Sequence, residues 1–182
     1  MNKNYLWVFK IVIVTFILAI LMSILADTTL RNANMFFALI LLVIIIFIGV
    51  FFDTIGIAVA SAKIEPFNSM ASQKVKAAKY SIYLIKNASM VANFCNDVIG
   101  DIAGIVSGAA GAIIIAKLMQ FDISFLEKGL VSVILTGFIA AMTVGGKAFG
   151  KIIGLSHSKY VVMKAGIIIY YFDKIFHLKI IE

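Results

Sequence analysis

Residues 35–60, MFFALILLVIIIFIGVFFDTIGIAVA, contain one charged side chain, Asp53, in an otherwise apolar run. A helix crosses the hydrocarbon layer of a bilayer in about 20 residues, so this run is long enough to span. Comparable runs occupy 5–26, 97–119 and 129–147. Four such runs account for most of the 182 residues, and a hydrophobic content of 63% with a single proline excludes an ordinary soluble domain. None of the runs alternates with a period of two, and all exceed the ~10 residues of a β-barrel strand. The sequence predicts an all-α polytopic membrane protein with four transmembrane helices. The first run also has features of a secretory signal, with Lys3 and Lys10 near its start and a small-residue site at Ala26. Its apolar part is long for one, and it reads as a retained span.

Charge sets the expected orientation. Residues 1–10 carry Lys3 and Lys10 without an acid. The connection 63–86 carries five lysines against Glu65, and the tail from Lys147 carries six against Asp173 and Glu182. The segments 27–34 and 117–128 are balanced. The positive-inside rule then puts both termini and the 63–86 connection in the cytoplasm of a multi-pass plasma-membrane protein. Within that connection, SQKVKAAKYSIYLIK sets Val75, Ala78, Ile82 and Ile85 on one side, as in an amphipathic helix lying on the membrane surface. The segment 156–182 is similar in kind, with lysines too closely spaced for a fifth span. In a membrane protein such a basic balance meets anionic lipid headgroups, so the partner is the bilayer and not nucleic acid.

The intramembrane polar residues converge on one depth. Asp97 and Asp101 stand at the start of the third run. Asp53 and Thr54 lie on the order of 27 Å along the second, and TVGGK at 143–147 lies on the order of 21–27 Å along the fourth. With alternating orientation all fall in the cytoplasmic third. Gly100, Gly104, Gly108 and Gly111 follow the aspartates at offsets of three and four, a spacing that lets another helix approach closely. Gly145 and Gly146 weaken the fourth helix at the same depth and are expected to free backbone carbonyls. Asp53, Thr54, Asp97, Asp101, Thr143, Gly145 and Gly146 are therefore the candidate metal ligands, hard oxygen donors of the kind that suit Mg²⁺, Ca²⁺ or Mn²⁺. Competing structural roles exist for each: Asp97 as a dipole partner near a helix start, Asn93 or Asn96 as a cap, Asp53 in an ion pair with Lys147. Cys95 is the only cysteine, which leaves no disulfide framework or cysteine-cluster metal site. His157 and His177 fall in the tail, where surface roles are expected.

FFDTIGIAVASAKIEPF, AAKYSIYLIKNASMVANFCNDVIGDIAG and TVGGKAFGK, in this order, resemble the membrane domain of the CorB/CorC and cyclin M magnesium transporters. The resemblance covers about residues 35–155. It implies the membrane domain over 35–155; an extra N-terminal helix and external loop over 1–34 depart from the family, and the cytoplasmic amphipathic tail over 156–182 follows. The resemblance places the family's serine ligand on Asp53, its paired polar residues on Asp97 and Asp101, and its carbonyl-donating helix around 142–146. Gly56 replaces the family's glutamate, Gly146 its proline, and the cytoplasmic CBS pair is missing. A homodimer is implied, with a separate protein as a possible regulator.

The expectation is a divalent-cation transporter, with Mg²⁺ as the bound or transported ion and no covalent cofactor, or a reduced relative of one. The alternative is a non-transporting dimeric membrane module that anchors or regulates a partner. No His–Glu metal motif, serine nucleophile motif or phosphate loop is present, so an enzyme is not expected.

Overall fold

The computed structural model describes residues 3–120 and 125–176, and every element among them is helical. In order these are α1 (Lys3–Asn32), α2 (Met35–Ser61), α3 (Glu65–Ser72), α4 (Lys76–Lys86), α5 (Ala88–Asn93), a π-helical turn (Phe94–Gly100), α6 (Asp101–Leu118), α7 (Phe125–Ser156) and α8 (Ser158–Phe176). Four segments are long and apolar enough to cross a membrane: Val8–Asn32, Met35–Ser61, Ala88–Leu118 and Lys128–Ser156. The chain is an all-α polytopic membrane protein.

Three spans are longer than their hydropathy suggested, the first running on through the expected loop to Asn32. The third begins at Ala88, because α5 and the π-helical turn run into α6, and the fourth continues past Lys147 to Ser156. Asp97 thus lies about two and a half turns into a helical run. It is not at a helix start, and the expected dipole role falls with that. Gly145 and Gly146 do not break α7, which stays helical through both. The irregular turn lies in the third span instead.

By packing, the chain divides into two compact units that cut across the three segments read from the sequence. One comprises Met1–Gly49 and Gly100–Gly146, the other Val50–Ile99 and Lys147–Glu182; they are called the outer-span unit and the helical-belt unit below.

In the outer-span unit α1 packs on α6. The buried face of α6 is Ile102, Ala103, Val106, Ala110 and Ile114, a three-and-four spacing. The carbonyls that end α1 would be orphans in a membrane. Lys117 answers two of them, its Nζ donating to Leu30 O at 2.6 Å and to Ala33 O. The cation also complements the negative end of the α1 dipole. Asn34 then starts α2 as an N-cap, its Oδ1 accepting from Phe37 N at 2.8 Å.

The belt unit holds a true core. Ala58, Val59, Phe67, Leu84, Val162 and Ala165 form one buried cluster from α2, α3, α4 and α8. Pro66 in the first turn of α3 fits where no backbone donor is needed. The α3–α4 corner is a Schellman turn: Val75 N donates to Met70 O, Lys74 N donates to Ala71 O, and Lys74 takes φ 63°. The amphipathic character of α4 holds, but its buried residues are Ala77, Ala78, Ser81 and Leu84, one step round from the expected stripe. Ser81 is what moves it. Fully buried, it donates from Oγ to Val162 O at 3.2 Å, and Gly166 of α8 lies so close that a Cβ there would be 2.9 Å from Ala77 O. At the far end Tyr80 Oη donates to Asp173 Oδ2 at 2.5 Å, with the Tyr80 and Tyr170 rings edge to face at 5.7 Å.

Candidate functional site

The sequence-predicted ligands fall into different units. Asp53, Thr54 and Asp97 belong to the belt unit; Asp101, Thr143, Gly145 and Gly146 belong to the outer-span unit. Among the described residues no group of three or more His, Cys, Asp or Glu side chains comes together as a metal holder. A cation site built from the described residues would therefore include neutral oxygens beside carboxylates.

In the belt unit such an oxygen exists. Asn96 sits in the π-helical turn, one residue before Asp97, and its Oδ1 is buried with no hydrogen-bond partner. The side chain lies directly against Gly56 of α2, where a Cβ would collide with Oδ1 and sit 2.8 Å from Cγ. Gly56 is thus what admits the Asn96 amide, and Asp53 stands one turn earlier on the same side of α2. Asp53 is half-buried and Asp97 exposed. A buried amide oxygen left unpaired costs about 1–3 kcal/mol, so it calls for an explanation such as an ion or a water. The π-helical turn points the same way, since such turns cluster at functional sites.

Thr54 has a packing role beside any other. Its Oγ1 donates to Val50 O at 2.7 Å, and the side chain lies against Gly150 of α7. One turn on, a Cβ at Gly154 would be 2.9 Å from Thr54 O and 3.3 Å from Ala58 N. Here α2 and α7 touch backbone to backbone. The sequence carried the signal, because Gly146, Gly150 and Gly154 form a small-residue repeat. A fourth span that stops at Lys147 leaves Gly150 and Gly154 outside it. Asn96 carries no such signal: Gly56 is one of two glycines in α2, beside Gly49, and nothing in the sequence pairs it with Asn96.

In the outer-span unit Thr143 lines a groove of about 400 Å³ between α6 and α7, together with Gly104, Ser107, Gly108 and Thr136. The glycine face is therefore real, yet α7 meets it closely at Gly111, where Ile139 packs, and positions 104 and 108 have nothing within 4 Å of a Cβ. Each groove hydroxyl donates within its own helix: Ser107 to Gly104 O, Thr136 to Ser132 O and Thr143 to Ile139 O. Donors spent in this way leave a smooth surface suited to another helix. Asp101, at the head of α6, is exposed but engaged in an interaction of its own, as are Asp53 and Lys147. Gly145 has nothing within 4 Å of a Cβ, and Gly146 closes the unit.

Compared with family models, with curated proteins and with solved structures, the chain matches none.

Proposed function

We propose that the protein binds a divalent cation in the membrane and is a cation transporter, or a reduced relative of one, with Mg²⁺ as the ion its oxygen donors suit best. The site is assigned to the belt unit: Asn96 Oδ1 as the neutral donor, Asp53 and Asp97 as the carboxylates. The observation that carries this is the buried, unpartnered Asn96 oxygen in a π-helical turn, pressed against Gly56. The resemblance to the CorB/CorC membrane domain is in keeping with it and adds the homodimer, the cytoplasmic termini and a separate regulator as further parts of the proposal.

Titrating the detergent-purified protein with Mg²⁺, Ca²⁺, Mn²⁺ and Na⁺ while following thermal unfolding tests the site. A bound ion at 100 times its dissociation constant stabilises by about 2.7 kcal/mol. Asn96→Leu removes the unpaired oxygen, so the ion-free variant is expected to unfold no more easily than the parent while losing the ion response. A flat response of the parent to all four ions rejects the assignment.

A second function is favoured by a different observation, the open α6–α7 groove with its internally satisfied hydroxyls. It suits a non-transporting dimeric module in which that groove receives a helix of a second copy. Transport by vesicles loaded with an ion-sensitive dye separates the two: ion flux that requires Asn96 supports the first, and a dimer without flux supports the second.

A further inference from the structure

The belt unit contains a cavity of about 430 Å³ between α2, the α4–α5 corner, the π-helical turn and α8. Phe51, Ile55, Met90, Phe94, Cys95 and Ile168 are among its walls, and no polar atom faces it. Its volume is that of a small-ligand site, roughly 300–1,000 Å³. Specific ligand sites ordinarily carry a few polar groups to fix orientation, and this one carries none. Two walls, from α2 and from 90–95, lie on membrane spans. Hydrocarbon is the occupant such a lining accepts.

Charge says which hydrocarbon. Lys86 and Lys164 are both exposed. Lys86 stands in the chain between the lining residues Leu84 and Met90; Lys164 stands beside Ala165 and one turn before Ile168, which also line the cavity, and its Nζ lies over the Tyr160 ring, 5.3 Å from the centroid. The belt unit as a whole has eleven lysines against five acidic residues, and Asp173, the acid nearest the end of α8, is engaged by Tyr80. A fatty acid chain with an anionic head satisfies both the apolar lining and the basic surface of the unit.

We propose that this cavity holds one acyl chain of an anionic phospholipid, with its phosphate at Lys86 and Lys164. None of the cation-site side chains lines the cavity, although Phe52, Ile55 and Cys95 of the lining adjoin Asp53, Gly56 and Asn96 in the chain.

The test uses the full chain in phosphatidylcholine vesicles with a small fraction of phosphatidylglycerol bearing a photoreactive diazirine on one acyl chain. Illumination is expected to place adducts on 90–95 and 165–169. Unlabelled phosphatidylglycerol should displace them roughly thirtyfold better than phosphatidylcholine, as two surface lysines at about 1 kcal/mol each predict. Ile168→Trp fills the cavity at a position 49% exposed; it should abolish adducts on 90–95 and leave those on exposed α1 residues such as Phe16. Lys86→Gln with Lys164→Gln, both on the surface, should keep the adducts and erase the preference for the anionic lipid. Adducts spread as evenly as on α1, adducts unmoved by Ile168→Trp, or equal displacement by the two lipids in the unaltered protein would each overturn the proposal.

Discussion

The two units use glycine in opposite ways. In the belt unit Gly56, Gly150, Gly154 and Gly166 each stand where a Cβ would meet a neighbouring element at or below van der Waals distance. In the outer-span unit Gly104, Gly108, Gly129, Gly137 and Gly145 have nothing within 4 Å, while Gly49 and Gly111 are the close-packed exceptions. The same residue type marks finished packing in one unit and open surface in the other. A glycine stripe on a membrane helix therefore signals the capacity for close approach, and only the partner surface decides whether the capacity is used within the chain.

The sharpest way to break this contrast is a matched pair of substitutions. Gly154→Leu pushes a side chain into the backbone of Thr54 and Ala58, which cannot move aside as a flexible side chain would, and is expected to cost about 3 kcal/mol or more. Gly108→Leu enters open space and gains about 0.8 kcal/mol of helix propensity, so its monomer should unfold no more easily than the parent. Denaturant unfolding in detergent measures both. Equal destabilisation would erase the distinction between the units. If Gly108→Leu also converts a dimer to a monomer by mass in mild detergent, the open groove is an interface between copies.

A smaller effect is expected where α4 is latched to α8. The Tyr80 hydroxyl is pushed up to about 12, first by its hydrogen bond to the Asp173 carboxylate, then by burial and by the negative charge of Asp173. The fold favours the neutral phenol, so this contribution is complete below the ordinary tyrosine value near 10 and is lost as pH rises from about 10 to 12. Tyr80→Phe should cost on the order of 1 kcal/mol at neutral pH, because the bond is to a charged group but only half-buried. It should also reduce the stability loss between pH 10 and 12. A pH-dependent unfolding series that looks the same in both proteins would show that Tyr80 contributes nothing there.

The smallest effect belongs to the α3–α4 corner. Lys74 holds the left-handed position that glycine usually occupies in a Schellman turn. Lys74→Gly is expected to stabilise by about 0.5–1 kcal/mol, the relief of the strain less the extra freedom glycine has when unfolded. Lys74→Ala should give no gain. Thermal midpoints of the two variants, compared with each other, isolate the backbone term from the lost charge.

Much of the candidate site was legible and some of it was not, for identifiable reasons. Asp53, Thr54 and Asp97 stood out because a polar side chain in a span is expensive and therefore visible. Asn96 did not, because an asparagine near an expected helix start has a simple alternative role as a cap. The role vanished once α5 and the π-helical turn carried the helix back to Ala88. The expected unwinding at Gly145 and Gly146 failed for the converse reason. Two glycines lower helix propensity by about 1 kcal/mol each, which a long apolar helix in a medium without competing hydrogen-bond partners absorbs.

The sequence by itself determined that this chain is helical, that four of its segments can cross a membrane, and that lysine-rich amphipathic helices accompany them. Each of those follows from the length of an apolar run or the period of its polar residues, quantities contained within one segment. The tertiary structure alone decided that Ser81 turns the buried face of α4 toward Gly166, that Gly150 and Gly154 and not Gly104 and Gly108 bring helices together within the chain, and that the amide of Asn96 is buried over Gly56. Close approach is a property of two surfaces, and the periodicity of one helix describes only one of them.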